Sequence, residues 1–216
     1  MKAVCLTTLA CTAAALSMTG VALGQESKDW YVNVGVTQLT LADKADFTVA
    51  GSPFPGAGIT TDPQYTVTAE IGRKINDILS VGFTFGYPPT AKAYGTGALT
   101  GLHLADVTYG PMALTALYHP FADKGPFDAW IGGGVSYMWI MDSKDQALTG
   151  VDAKDDVGPV FQAGGSYAFN TDWAAFLDVK KALLKTTATG SFGGAPVSAD
   201  IKMDPLVVSA GIRKTF

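Results

Sequence analysis

The stretch Leu79-Ser80-Val81-Gly82-Phe83-Thr84-Phe85-Gly86-Tyr87 decides the fold. Leu79, Val81, Phe83, Phe85 and Tyr87 alternate with Ser80, Gly82, Thr84 and Gly86. That is the period of a β-strand, whose successive side chains point to opposite faces. One face is large and apolar, the other small or hydroxylated. A soluble sandwich alternates too, but its polar face meets water and is usually charged. A face of Ser, Gly and Thr suits the crowded lumen of a narrow barrel whose outside meets lipid.

The same period recurs on both sides of this stretch. Trp30, Val32, Val34 and Val36 alternate with Tyr31, Asn33, Gly35 and Thr37, and a phase slip near Gln38 suggests a bulge. Tyr65, Val67, Ala69 and Ile71 alternate with Thr66, Thr68, Glu70 and Gly72. Phe127, Ala129, Ile131, Gly133, Val135, Tyr137 and Trp139 share one face, as do Phe161, Ala163, Gly165, Tyr167 and Phe169. Trp173, Ala175, Leu177 and Val179 oppose Ala174, Phe176, Asp178 and Lys180. At the end, Leu206, Val208, Ala210, Ile212 and Phe216 oppose Val207, Ser209, Gly211 and Arg213. A less regular strand spans Asp106 to Pro120, interrupted by Pro111. The total is about eight strands.

Short and long connections alternate along the chain. Ile75-Asn76-Asp77, Ala122 to Gly125 and Asn170-Thr171-Asp172 read as tight turns. The segments 42–62, 93–103, 142–153 and 187–196 read as long loops. Outer-membrane barrels have this asymmetry, short turns facing the periplasm and long loops facing outward. Trp30, Trp173, Phe121, Phe127, Phe169 and Phe216 fall near the short turns, and Tyr87, Tyr109 and Trp139 towards the long loops. Two belts of rings at the lipid interfaces are expected from this placement. Lipid offers the backbone no hydrogen bonds, so strands can span it only as a closed barrel.

Composition agrees. The chain has 216 residues, a pI near 5.0, a formal net charge of −4 and a mean hydropathy of +0.22. The acidity argues against a nucleic-acid partner. The hydropathy is high, yet no segment after residue 25 is long and apolar enough for a membrane helix; apolar residues spread over alternate strand positions account for both. Lys2, an apolar stretch and Ala22-Leu23-Gly24 read as a secretory signal peptide over 1–24, leaving 25–216 as one barrel domain. Both cysteines, Cys5 and Cys11, lie in that leader, so the mature chain is expected to use neither disulfides nor thiol chemistry.

Several segments together resemble the OmpW-like outer-membrane proteins. They are Gly110-Pro111 with Leu114 to His119, the run Gly125 to Tyr137, Asn170-Thr171-Asp172-Trp173, Asp178-Val179-Lys180-Lys181, and Asp200 to Ile212. The resemblance covers essentially the mature chain. It implies an eight-stranded antiparallel transmembrane barrel with a narrow lumen, located in the outer membrane, and a role with small, mostly apolar solutes. Family members can carry bulky apolar lumen residues on the third and seventh strands; the matching positions here are Thr84 and Lys180. Phe216 keeps the terminal aromatic that the outer-membrane assembly machinery reads, while Lys214 stands where a second aromatic is expected.

The candidate lumen-lining residues are Glu70, Thr84, Asp128, Asp178, Lys180, Lys202, Asp204 and Arg213. Confined charges are tolerated when paired, so an internal salt-bridge network is expected to fill the lumen, with a polar conduit or gate as the alternative. Phe47, Phe54, Ile59, Leu99 and Leu102 in the external segments read either as loops packing on themselves or as a binding rim for an apolar solute, with lateral exit into lipid. The alternative is a structural or adhesion barrel whose loops touch lipopolysaccharide or a host surface. No enzyme is expected: His103 and His119 are the only histidines, and neither has a serine at short strand spacing. His119 is read as a strand-end cap and His103 as a solvated loop residue. No cofactor and no metal site are expected. The acidic cluster Asp142, Asp145, Asp152, Asp155 and Asp156 reads as a solvated loop.

Overall fold

The computed structural model describes residues 29–42, 44–121 and 125–216. The expected leader, its cysteines and most of the turn at 122–125 lie outside them. Every regular element described is a strand: β1 (Trp30–Thr40), β2 (Lys44–Val49), β3 (Ser52–Pro53), β4 (Ala57–Thr61), β5 (Gln64–Asn76), β6 (Leu79–Gly86), β7 (Thr90–Gly97), β8 (His103–Tyr118), β9 (Phe127–Asp145), β10 (Thr149–Ala153), β11 (Asp156–Ala168), β12 (Trp173–Ala182), β13 (Lys185–Phe192), β14 (Ala195–Lys202) and β15 (Leu206–Thr215).

Eight of them close a barrel in the order β1, β5, β6, β8, β9, β11, β12, β15 and back to β1, each antiparallel to its neighbours. Closure gives every strand a partner on both sides, which a bilayer demands. The alternation then sorts the side chains. Val36, Val67, Leu114, Ile131, Phe161 and Leu177 are exposed on the outside, while Asn33, Glu70, Thr115, Gln162 and Asp178 are buried inside. In water that arrangement would be inverted; in lipid it is the stable one. Trp30, Phe121, Phe127, Phe169, Trp173 and Phe216 ring the turn end, and Tyr65, Tyr87 and Trp139 the other. Tyr109 does not join the belt: it is 2% exposed and points inward, because β8 keeps its parity through Pro111. Lys214 lies on the outer face between Trp173 and Phe216, its ammonium 4.9 and 5.2 Å from the two rings.

The tight turns are built on asparagine. Asn76 Oδ1 accepts the N–H groups of Ile78 and Leu79, and Asn170 Oδ1 those of Asp172 and Trp173. These side chains replace a backbone turn partner.

Two sequence expectations change. The register of β1 is unbroken past Gln38 against both neighbours, so no bulge forms there. Parity is kept, and Leu39, fully buried, begins an apolar stretch of the interior. The slip in the pattern is a change in what the lumen contains. The long segments, in turn, are not loops. β2, β3, β10, β13 and β14 form a second sheet, and β4 pairs with β7, which pairs with the upper part of β8. Their inward residues Phe47, Ile59, Ala93, Leu104, Val197 and Ala199 bury one another. That cluster holds the segments in an outer tier above the barrel, because isolated hairpins without a shared apolar face are marginal in water.

Candidate functional site

The interior has three levels. The uppermost is an apolar chamber of about 90 Å³, lined among others by Phe47, Ile59, Leu104, Tyr109, Met138 and Met203, with no charged residue on its wall. It continues downward through Leu39, Ala113, Val160 and Ala182.

Below it sits a polar plug. Lys180 Nζ lies 2.6 Å from Asp178 Oδ1 and 3.0 Å from Glu70 Oε2. Glu70 also accepts from Asn33 (3.1 Å), Thr84 (2.8 Å) and Gln162 (3.1 Å). Asp178 also accepts from Trp130 Nε1 and Gln162 Nε2, each at 2.8 Å. Every partner is a donor, which is what an ionised carboxylate requires. A buried charge is otherwise expensive, and this shell of donors makes the trio tolerable. Thr37 on β1 links Thr68 and Ser209 of its two neighbouring strands, β5 and β15, at 2.6 and 2.8 Å, so a chain of hydroxyls lines that side of the lumen.

The lowest level faces the short turns. Arg213 is stacked between Tyr31 and Trp130, its guanidinium 4.4 and 4.3 Å from their ring centres. It donates to Asn33 Oδ1 at 2.8 Å and lies 3.6 Å from Asp128 Oδ2. Gly72 makes room for Tyr31, since a Cβ there would fall about 2.1 Å from the ring. An open vestibule of about 350 Å³ lies beneath, lined by His119, Asp128 and Arg213 among others.

This level holds an arrangement that strand spacing did not reveal. His119 Nε2 is 2.8 Å from Ser80 Oγ, and His119 Nδ1 is 2.9 Å from Asp128 Oδ2. The serine comes from β6, the histidine directly follows β8 and the aspartate is on β9. The three meet because the barrel places these strands side by side. Ser80 is 1% exposed, and the Tyr31 hydroxyl lies 3.5 Å from its Oγ. His103 is not a free loop residue: it stacks on Tyr94 and sits 2.7 Å from Asp106 Oδ1.

The ladders of the barrel wall stop at one height, where among the described residues only the backbone bonds from the Tyr87 N–H to the Val67 carbonyl at 2.9 Å and from the Tyr109 N–H to the Pro89 carbonyl at 3.1 Å continue them. The β5–β6 ladder ends at Thr68↔Gly86 and the β4–β7 ladder begins at Thr61↔Ala93. Pro63 and Pro88-Pro89 lie between these ladders. On β8 the partner β6 ends at Met112 and β7 starts at Thr108, with Pro111 between them. Proline has no N–H to give a ladder, so it is at home where none is required. An outer groove of about 300 Å³ lies at the break, bounded by Pro63, Gln64, Tyr65 and Pro89. Behind it, the Tyr109 hydroxyl donates to Gln64 Oε1 at 2.8 Å. Tyr109 lines the chamber and Gln64 the groove, so their side chains form the partition between the two.

Of the expected lumen residues, Glu70, Thr84, Asp128, Asp178, Lys180 and Arg213 come together inside the barrel. Lys202 is exposed on the outer face of β14, and Asp204 sits at the corner before β15, where its Oδ1 accepts the Leu184 N–H at 3.0 Å. Both lie above the barrel, where the chain crosses between the two tiers. Among the expected rim residues, Phe47 and Ile59 are buried inside the outer tier, Leu99 and Leu102 pack against them, and Phe54 is exposed. Gln64, Trp130 and Gln162 join the interior without having stood out in the sequence, and Tyr109, expected at the lipid interface, lines the chamber instead. Parity alone would have found the two glutamines, whose neighbours on the same face point inward.

The family model described as the OmpW family matches residues 56–216. The dibenzothiophene metabolism operon protein PahQ of Pseudomonas aeruginosa is 33% identical over 88% of this chain and 90% of its own length. Outer membrane protein AlkL of Ectopseudomonas oleovorans is 30% identical over 89% and 84%. Among solved structures, OprG from Pseudomonas aeruginosa superposes with a TM-score of 0.82 over 89% of this chain and 98% of that one, at 21% identity. On the family match, the two relatives and the closed eight-stranded barrel, the chain belongs to the OmpW family of outer-membrane β-barrel proteins.

Proposed function

We propose that this barrel passes small, uncharged hydrophobic molecules from the exterior into the outer membrane by lateral release. The molecule enters the outer tier, occupies the apolar chamber, and meets the plug as a floor. The carrying observation is the partition at the wall break, where one Tyr109–Gln64 hydrogen bond stands between the chamber and a groove on the lipid side. An apolar solute gains nothing from continuing down into the Glu70–Asp178–Lys180 trio, because it would have to displace hydrogen bonds it cannot replace. Sideways exit breaks one hydrogen bond, Tyr109 to Gln64, and leads past Pro63, Tyr65 and Pro89 towards the lipid. The relatives support the solute class: PahQ is a dibenzothiophene metabolism operon protein.

The Ser80–His119–Asp128 relay is read as structural. A serine nucleophile needs an approach path for a carbonyl carbon, and here the Tyr31 phenol closes the remaining side of a buried hydroxyl.

The test is uptake of radiolabelled octane and naphthalene by cells with and without the protein. Loss of the protein should slow uptake of both. Tyr109→Phe and Gln64→Leu, which remove the partition bond, should raise it. Equal uptake with and without the protein sinks the transport reading. A protein-dependent uptake that neither substitution alters moves the exit elsewhere.

A further inference from the structure

We propose that the outer tier carries a binding site for the phosphorylated headgroup of an outer-leaflet glycolipid, formed by Lys44, Lys185 and Lys202. The three come from three adjacent strands. In the second sheet Lys185 of β13 is directly opposite Lys202 of β14, and Lys202 is directly opposite Lys44 of β2. All three are exposed, and all lie on the face away from Phe47, Thr186, Ala199 and Ile201. They therefore form one outward row, with Cβ atoms roughly 5 Å apart between neighbours.

Like charges set directly opposite one another destabilise a sheet. Among the described residues none of the three ammonium groups forms an ion pair. The nearby acids are engaged or displaced. Asp156 accepts the Lys185 backbone N–H at 2.7 Å, Asp204 accepts that of Leu184, and Asp200 with Asp46 occupies the next outward row, farther from the barrel. The row stands out further because the whole chain is acidic, with a net charge of −4.

Position identifies the ligand. Lys44 begins the strand after β1 leaves the barrel, Lys185 begins the strand after β12, and Lys202 ends the strand before β15. Each is thus at the foot of the outer tier, just above the lipid-facing band and turned outward. That is the height of the outer-leaflet headgroups. Just below, Lys181 lies on the outer face of β12 and donates to the Asp204 carbonyl at 2.5 Å. A phosphomonoester, with nearly two negative charges and several acceptor oxygens, can bridge adjacent ammonium groups and relieve their repulsion.

Binding of diphosphoryl lipid A, its dephosphorylated form and inorganic phosphate to the refolded protein in detergent provides the test. The variants are Lys44→Gln/Lys185→Gln/Lys202→Gln and a control, Lys92→Gln/Lys144→Gln. Each lysine near an anionic lipid surface contributes roughly a fivefold factor in affinity. The triple variant should therefore bind diphosphoryl lipid A on the order of a hundredfold more weakly. The control should bind as the parent does, and the dephosphorylated lipid should bind the parent weakly. Heat-modifiability on gels checks that both variants fold. Three results each overturn the proposal: a folded triple variant with parental affinity, equal binding of both lipid forms, or inorganic phosphate competing as well as the lipid. The last would mark a simple anion site.

Discussion

Lys180 sits where two carboxylates converge, and its single positive charge is shared between Glu70 and Asp178. Removing it leaves two buried charges facing each other without a cation. Lys180→Met should therefore destabilise the folded barrel by roughly 3–5 kcal/mol, the usual cost of breaking a buried pair. The combined variant Lys180→Met/Glu70→Gln/Asp178→Asn should recover most of that loss, measured by urea unfolding in detergent. Ser80 gives a second prediction at this scale. If the relay with His119 and Asp128 is structural, a fluorophosphonate probe will not label Ser80 in the folded protein. Stoichiometric labelling lost in Ser80→Ala would instead make the site catalytic. The charged residues of the lumen could be found from parity alone. Their partners could not, because Gln162 meets Glu70 across 92 positions of sequence.

At the scale of elements, the β8–β9 pair is the longest contact in the fold, running from Ala105↔Asp145 to Tyr118↔Ile131. Gly134 on β9 permits it. A Cβ at Gly134 would fall about 1.9 Å from the Leu114 carbonyl oxygen. Gly134→Val should prevent this ladder from closing, and the protein should run unfolded on a heat-modifiability gel while Val135→Ile, on the outer face, assembles. The turn between β9 and β10 adds a pH dependence. Asp145 accepts the N–H groups of Val151 and Gly150, which hold its carboxyl below the ordinary 3.8. For a depressed carboxylate the contribution is present above the unfolded value and lost as pH falls through the folded one. The protection of the Gly150 and Val151 amides against exchange, relative to the unstructured rate at the same pH, should therefore persist at neutral pH and be lost only below about pH 4. Asp145→Asn should remove that pH dependence. The strands of this outer tier were not legible as strands, and only single apolar residues such as Phe47 and Ile59 stood out in them. Elsewhere Gly, Thr and Pro masked the period, so these segments read as loops.

For the whole molecule, the plug decides which path is open. Eight strands leave a lumen just wide enough for side chains, and here those side chains are hydrogen-bonded to one another. The refolded protein in a planar bilayer should show no steady single-channel conductance, even under conditions in which hydrocarbon uptake in cells depends on it. Sustained conductance reduced by octane would mean that the solute shares a continuous lumen with ions, and the floor assigned to the plug would be wrong. Charge also sorts solutes. Two carboxylates against one ammonium leave the plug at a net −1, so 1-naphthoate should enter far more slowly than naphthalene.

Local alternation, by itself, determined that this chain is a closed membrane barrel with asymmetric ends. A period of two, hydroxyls opposite aromatics, and the lack of a backbone partner in lipid leave no other arrangement for Leu79 to Tyr87 and its counterparts. The same reading placed Glu70, Asp178, Lys180 and Arg213 inside, because parity is a property of single strands. Only the tertiary structure decided what they meet. The height at which β4, β5, β6 and β7 stop sets the wall break at Pro63 and Pro88-Pro89. The closure of β6, β8 and β9 brings Ser80, His119 and Asp128 together, and the pairing of β2, β13 and β14 aligns three lysines. Each depends on register between strands far apart in sequence, and register is fixed by how the whole sheet closes on itself.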